Sequence, residues 1–169
     1  MQKQRCSFAT QFLQMKDKLI VPNEFLAIAE EELLEGRSVK ILADGASMNP
    51  FIIGGRDYSE VIPFPKYEEP ELWNAYLFKW NGKYVIHRFI GKTGDIYRML
   101  GDGNLKYEET VSREDIIGVL SKIHKPDGNY IDTLSTKWKR KGKNWHQLLP
   151  LRRYLLAAFR RLRRLGLMQ

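Results

Sequence analysis

Two residues of this chain stand out as groups that could do covalent chemistry together. Ser47 lies in Gly45-Ala46-Ser47-Met48-Asn49-Pro50, and His87 ends the alternating run Tyr84-Val85-Ile86-His87. A serine hydroxyl is inert near neutral pH unless a base takes its proton and donors stabilise the oxyanion formed on attack. Gly45 permits close backbone approach, and Met48 and Pro50 fix the exit of the turn. Standing alone, such a segment reads as a turn serine, and a lone histidine at the end of a strand reads as a hydrogen-bonded strand residue. A third group is offered by Gly101-Asp102-Gly103-Asn104, where Asp102 could return to His87, orient the imidazole and stabilise its charged form. The bland reading of Asp102 is an ordinary Asp-Gly turn. His124 and His146 sit beside no such motif and receive no role.

The elements needed to position these groups are short. Asn23 is a candidate N-cap, and apolar residues recur at helical spacing from Phe25 to Leu34, predicting an amphipathic helix over 24–35 that ends at Gly36. Residues 38–42 alternate as a strand that delivers the chain to Gly45. Further strands are predicted over 58–63, 75–80, 83–90, 96–100 and 116–123, separated by turn signals of which Trp80-Asn81-Gly82-Lys83 is the clearest. The expected body is a mainly β, antiparallel domain over 38–136, flanked by an N-terminal helical segment over 1–37 and a tail over 137–169.

That tail holds eleven of the twenty-eight Lys and Arg residues and no Asp or Glu, leaving seventeen basic against twenty acidic residues in the rest. The basicity of the chain, +8 overall, is therefore a property of the tail. Leu148, Leu151, Leu155, Phe159, Leu162 and Leu165 recur on one helical face, with Arg152, Arg153, Arg160, Arg161, Arg163 and Arg164 on another. This predicts a basic amphipathic helix, Pro150 in its first turn, after a short basic linker that contains tryptophan. Such a helix either packs on the body or lies on an anionic membrane surface through 148–168. Trp138 and Trp145 among the lysines admit a nucleic-acid reading, which ranks lower because 1–37 leave room for only about one good helix. Cys6 has no partner for a disulfide, and no apolar run is long enough for a signal peptide or a spanning helix. The expected location is the cytoplasm or the inner face of the membrane.

Taken together the motifs resemble those of the type I signal peptidases and the related self-cleaving repressor peptidases. Gly-Ala-Ser-Met-Asn-Pro at 45–50 is similar to the nucleophile motif of that family. Val-Ile-His-Arg at 85–88 is similar to the second motif of the archaeal and endoplasmic-reticulum branch, in which histidine replaces a lysine base. Gly-Asp-Gly-Asn at 101–104 resembles the motif that follows, and 115–120 resembles the closing strand. The resemblance covers roughly 38–123. It implies a coiled antiparallel β fold and a serine endopeptidase that removes a leader or signal segment from a peptide or preprotein, with Ser47 as nucleophile, His87 as base and Asp102, whose motif is the better matched, or else Glu108 behind the imidazole. It implies no cofactor and no metal. Gly45 stands where the family usually carries a serine whose hydroxyl helps the oxyanion hole, so a backbone N–H near Ser47 would take that part. The alternative is a non-catalytic peptide- or membrane-binding relative of the same fold.

Overall fold

The computed structural model describes residues 23–106 and 108–167. Helix α1 (Asn23–Leu34) precedes strands β1 (Val39–Leu42), β2 (Tyr58–Pro63), β3 (Ala75–Trp80), β4 (Lys83–Thr93), β5 (Ile96–Leu100), β6 (Glu108–Val111), β7 (Ile116–His124) and β8 (Tyr130–Asp132). Helices α2 (Thr136–Gln147) and α3 (Leu149–Arg164) follow. The strands form one curled antiparallel sheet in the order β1-β2-β7-β3-β4-β5-β6, with β8 added beside β7. The chain is thus mainly β with flanking helices. Among the described residues no helix is long and apolar enough to cross a membrane.

Because successive strand residues point to opposite faces, the sheet sorts its side chains into two cores. On one face Leu77, Ala75, Val61, Leu120, Ile123 and Ile41 pack with Ala29 and Leu33 of α1 and with Trp138 of α2. On the other, Tyr76, Phe78, Phe89, Tyr97, Met99, Val111, Ile116 and Val119 pack together. Fully burying a side chain of this size is worth roughly 1.5–3 kcal/mol against leaving it exposed, so both faces hold the sheet in its curl. The hairpin at Asn81-Gly82 has positive φ at both residues, 49° and 71°, as a two-residue turn with right-handed strand twist requires.

The tail departs from the expectation of a linker followed by one helix, because the basic stretch from Thr136 is itself helical. Ser135 caps it by accepting a hydrogen bond from the Trp138 N–H, and Trp138 is buried to 2% exposure. Gly142 is buried because Arg88 lies against it, where a β-carbon would strike the guanidinium. Helix α3 starts one residue after α2, at Leu149, with Pro150 in its first turn as expected. Its faces also differ from the simple pattern: Arg152, Leu156 and Phe159 are buried, while Leu151, Leu155, Leu162 and Leu165 are exposed.

Candidate active site

Ser47 sits in a turn inside the excursion from β1 to β2, residues 43–57. The base of this excursion is closed by the Ala43 N–H donating to Asp57 O at 2.9 Å and the Gly55 N–H donating to Ala43 O at 2.8 Å. The Asp57 carboxylate, wholly buried, accepts from the Ile53 N–H, from Arg56 and from Lys125 at 2.6 Å. Burial alone would raise this carboxyl, but Arg56, Lys125 and the Ile53 amide hold it below the usual carboxylate range. Asp57 stays ionised and ties the serine-bearing loop to the end of β7. Gly54 is required for a close crossing inside the loop, because a β-carbon there would run into the Gly45 carbonyl.

His87 and Arg88 are neighbours on β4 and so leave the sheet on opposite faces. His87 pairs in register with Tyr76 and lies edge-on to Phe78 at 6.1 Å between ring centroids, on the aromatic face. Its Nδ1 is 2.8 Å from Oε2 of Glu109, and both side chains are buried, at 3% and 7% exposure. Glu109 reaches that face by register: it is opposite Met99 on β5, which is opposite Phe89 on β4.

The carboxylate behind the imidazole is therefore neither of the two anticipated from sequence. Asp102 is on the other face, where its two oxygens take a fork of bonds from Arg88 Nε at 2.9 Å and Nη2 at 2.7 Å. Glu108, one residue before Glu109, points away from His87 and is 3.6 Å from Arg98. Of the other histidines, His124 Nε2 contacts Glu60 at 2.6 Å, and His146 stacks obliquely on Trp73.

The loop 101–104 joins the serine turn to the imidazole. The Gly103 N–H donates to Ser47 O at 2.7 Å. A β-carbon on Gly101 would be 2.5 Å from Ser47 O and 2.8 Å from His87 Nε2, so the Ser47 backbone and the imidazole are separated by little more than the width of a methyl group. Among the described residues His87 Nε2 is buried and makes no hydrogen bond, and no bond joins it to the Ser47 hydroxyl. The Ser47 N–H also donates to no group among the described residues.

The C-terminal helices brace the same loop from beneath. Trp145 Nε1 donates to Asp102 O at 2.7 Å, and Arg152, 1% exposed, donates to Asn104 O at 2.9 Å and to Trp145 O at 3.1 Å. Phe51, from the serine loop, packs edge-on to both Trp138 and Trp145 at 5.3 and 5.7 Å. Nothing in a sequence pattern separates Arg152 from the other tail arginines, and its role was not anticipated.

Beside Ser47 opens a cleft of about 320 Å³, lined by Ile41 and Leu42 of β1, Tyr84, Val85 and Ile86 of β4, and Met48, Ile52, Ser59 and Leu77 below. Two strand edges border it. Among the described residues strand β1 pairs only with β2, and β5 joins β4 only from Arg88 onward, so neither β1 nor 83–87 has a described partner on the cleft side. Tyr84 donates to Glu30 of α1 at 2.6 Å, and burial together with that carboxylate pushes its phenol up to about 12. Among the described residues no group of three or more His, Cys, Asp or Glu side chains is arranged to hold a metal ion. Compared with known proteins, the chain matches no family model and no curated protein.

Proposed function

We propose that this chain is a serine endopeptidase that cuts an extended segment of a peptide or preprotein, built on a fold of the signal-peptidase type. The observation that carries the reading is the buried His87–Glu109 pair set against the turn that holds Ser47. In this mechanism Ser47 Oγ attacks the scissile carbonyl carbon and its proton passes to His87 Nε2. Glu109 fixes the imidazole with its Nδ1 protonated and stabilises the imidazolium. The histidine then gives the proton to the leaving amine, and water, deprotonated by the same nitrogen, hydrolyses the acyl-enzyme. The uncommitted Ser47 N–H supports a backbone oxyanion donor in place of the hydroxyl that Gly45 lacks. Proton transfer requires Oγ within about 3 Å of Nε2, a contact that tightens on substrate binding in many hydrolases.

The cleft supports an extended substrate. A strand entering between β1 and residues 83–87 would pair with two free edges, and the apolar lining would accept small or aliphatic side chains near the cut. Digesting a random peptide library with the wild-type chain and with Ser47→Ala, followed by mass spectrometry, tests this. Cleavages lost in the variant, with small residues next to the cut, are expected. Identical fragment patterns from the two proteins would sink the proposal.

One observation favours a second reading, a peptide-binding relative without catalysis: His87 Nε2 has no hydrogen-bond partner among the described residues. Saturable binding of library peptides by wild type and by Ser47→Ala alike, with no cleavage by either, is the outcome that selects it.

A further inference from the structure

Helix α3 presents three faces, and among the described residues the body covers only one. Arg152, Leu156 and Phe159, spaced four and three residues apart, form the buried face. About a quarter of a turn away, Leu151, Leu155 and Leu162 are 56%, 40% and 39% exposed, and Leu148 and Leu165 extend the same stripe at 39% and 63%. The remaining face carries Arg153, Arg160, Arg161 and Arg164, all exposed. None of these four arginines forms an ion pair among the described residues, and 137–169 contain no acidic side chain to supply one.

We propose that α3 docks the protein on an anionic lipid bilayer, with the leucine stripe in the boundary between headgroups and acyl chains and the arginines on headgroup phosphates. The two free faces select this occupant over the others. A second copy docked on the same stripe would bury the leucines and leave the arginines without a counter-charge. A nucleic acid would use the arginines and leave the leucines in water. An anionic bilayer satisfies both at once, because apolar burial and attraction to anionic headgroups add on a helix lying in the interface plane. The buried face fixes the helix on the body, so the stripe is presented ready-formed and no folding of the helix has to accompany binding.

Co-sedimentation with vesicles tests the proposal on the full chain. Wild type should pellet with vesicles of phosphatidylcholine mixed with phosphatidylglycerol and remain in solution with phosphatidylcholine alone. Changing Leu151, Leu155 and Leu162 together to Gln should weaken binding by at least roughly tenfold, since each leucine contributes apolar area to the interface. Changing Arg160 and Arg164 to Glu should weaken it at least as much and leave little salt dependence. All five side chains are exposed, and unchanged far-ultraviolet circular dichroism would show that the variants are folded. The proposal fails if wild type ignores anionic vesicles, or if the leucine variant binds them as well as wild type does. It also fails if analytical ultracentrifugation finds a wild-type dimer that the leucine variant abolishes, or if the arginines serve salt-sensitive duplex DNA binding without vesicle binding.

Discussion

Glu109, rather than Asp102, holds the imidazole of His87, with Oε2 2.8 Å from Nδ1. Replacing Glu109 by Gln keeps the shape but removes the negative charge, and the amide has no reason to select the tautomer with a free Nε2 lone pair. Peptide cleavage should fall by roughly two to four orders of magnitude, as at other sites where the third member is neutralised. Glu109→Asp should recover part of the loss. Measuring kcat and KM for both variants checks this; unchanged kcat in Glu109→Gln would remove Glu109 from the mechanism.

Asp102 should behave differently, because its partner is a buried arginine and not the proposed base. Arg88 and Asp102 are each 2% exposed, and the guanidinium is also covered by the rings of Trp138 and Phe51. Asp102→Asn leaves that charge without its counter-ion, a loss expected to cost about 3–5 kcal/mol. Urea unfolding would show the midpoint falling well below that of Glu109→Gln. Equal stability of the two variants would contradict the division of labour between the faces.

The division explains what could be read from sequence and what could not. The strands 58–63, 75–80 and 96–100 were legible because β-branched and aromatic residues cluster between clear turn signals, and their bounds match the structure. Strand β6 was not, since Glu108-Glu109-Thr110-Val111 has a single strongly apolar residue and two charges. Only its register against Met99, two strands from His87, turns Glu109 inward and Glu108 outward. Asp102 belonged to the better motif, but motif order does not say which face a side chain takes. For the same reason the motif Val-Ile-His-Arg does not say which carboxylate each side chain meets, although the alternation of β4 requires His87 and Arg88 to leave on opposite faces. In the tail, basic composition concealed that Trp138, Gly142 and Arg152 are inward positions of two helices.

Gly101 is the point at which the serine turn, the imidazole and the 101–104 loop come closest. An alanine methyl would be 2.5 Å from the Ser47 carbonyl, 2.8 Å from His87 Nε2 and 2.9 Å from Asn104 Nδ2. Two of these neighbours are themselves held, Ser47 by the Gly103 N–H and His87 by Glu109, so the strain cannot be relieved locally. Gly101→Ala should cost about 1–3 kcal/mol in stability. It should reduce kcat far more than that stability loss implies at temperatures where the variant is folded. Wild-type kcat in a folded Gly101→Ala would show that the imidazole and Ser47 do not act as a unit.

Trp145 tests whether the C-terminal helices brace the site. Its indole N–H donates to the Asp102 carbonyl, and Trp145→Phe keeps an aromatic ring beside Phe51 while removing the donor. An orphaned buried acceptor costs about 1–3 kcal/mol, and a matching fall in unfolding free energy is expected. Faster amide hydrogen exchange at Gly103, whose N–H is bonded to Ser47 O, would show that the loosening reaches the serine turn. If Gly103 exchanged at the wild-type rate, α2 would be stabilising the fold without positioning the site.

His146 supplies a pH dependence whose sign follows from its surroundings. Its Nδ1 is buried without a hydrogen-bond partner among the described residues, and the ring lies against Trp73. Burial first, then the charges of Arg152 and Arg98, lower its pKa, outweighing the opposite pull of Glu108 and Asp102. The unfolded chain therefore takes up a proton near pH ~6.5 while the folded chain still resists it. Since stability rises with pH wherever the unfolded state binds more protons, this contribution is complete above about 6.5 and is lost as pH falls toward the lower folded value. Below that value both states are protonated and no further loss comes from this group. Melting temperature should accordingly fall between about pH 7.5 and about pH 5.5 in wild type, and fall less in His146→Gln, which has no proton to gain. An equal fall in both proteins would assign the dependence to other groups; a smaller fall in wild type would mean that the sign is wrong and that His146 is held protonated by its carboxylate neighbours.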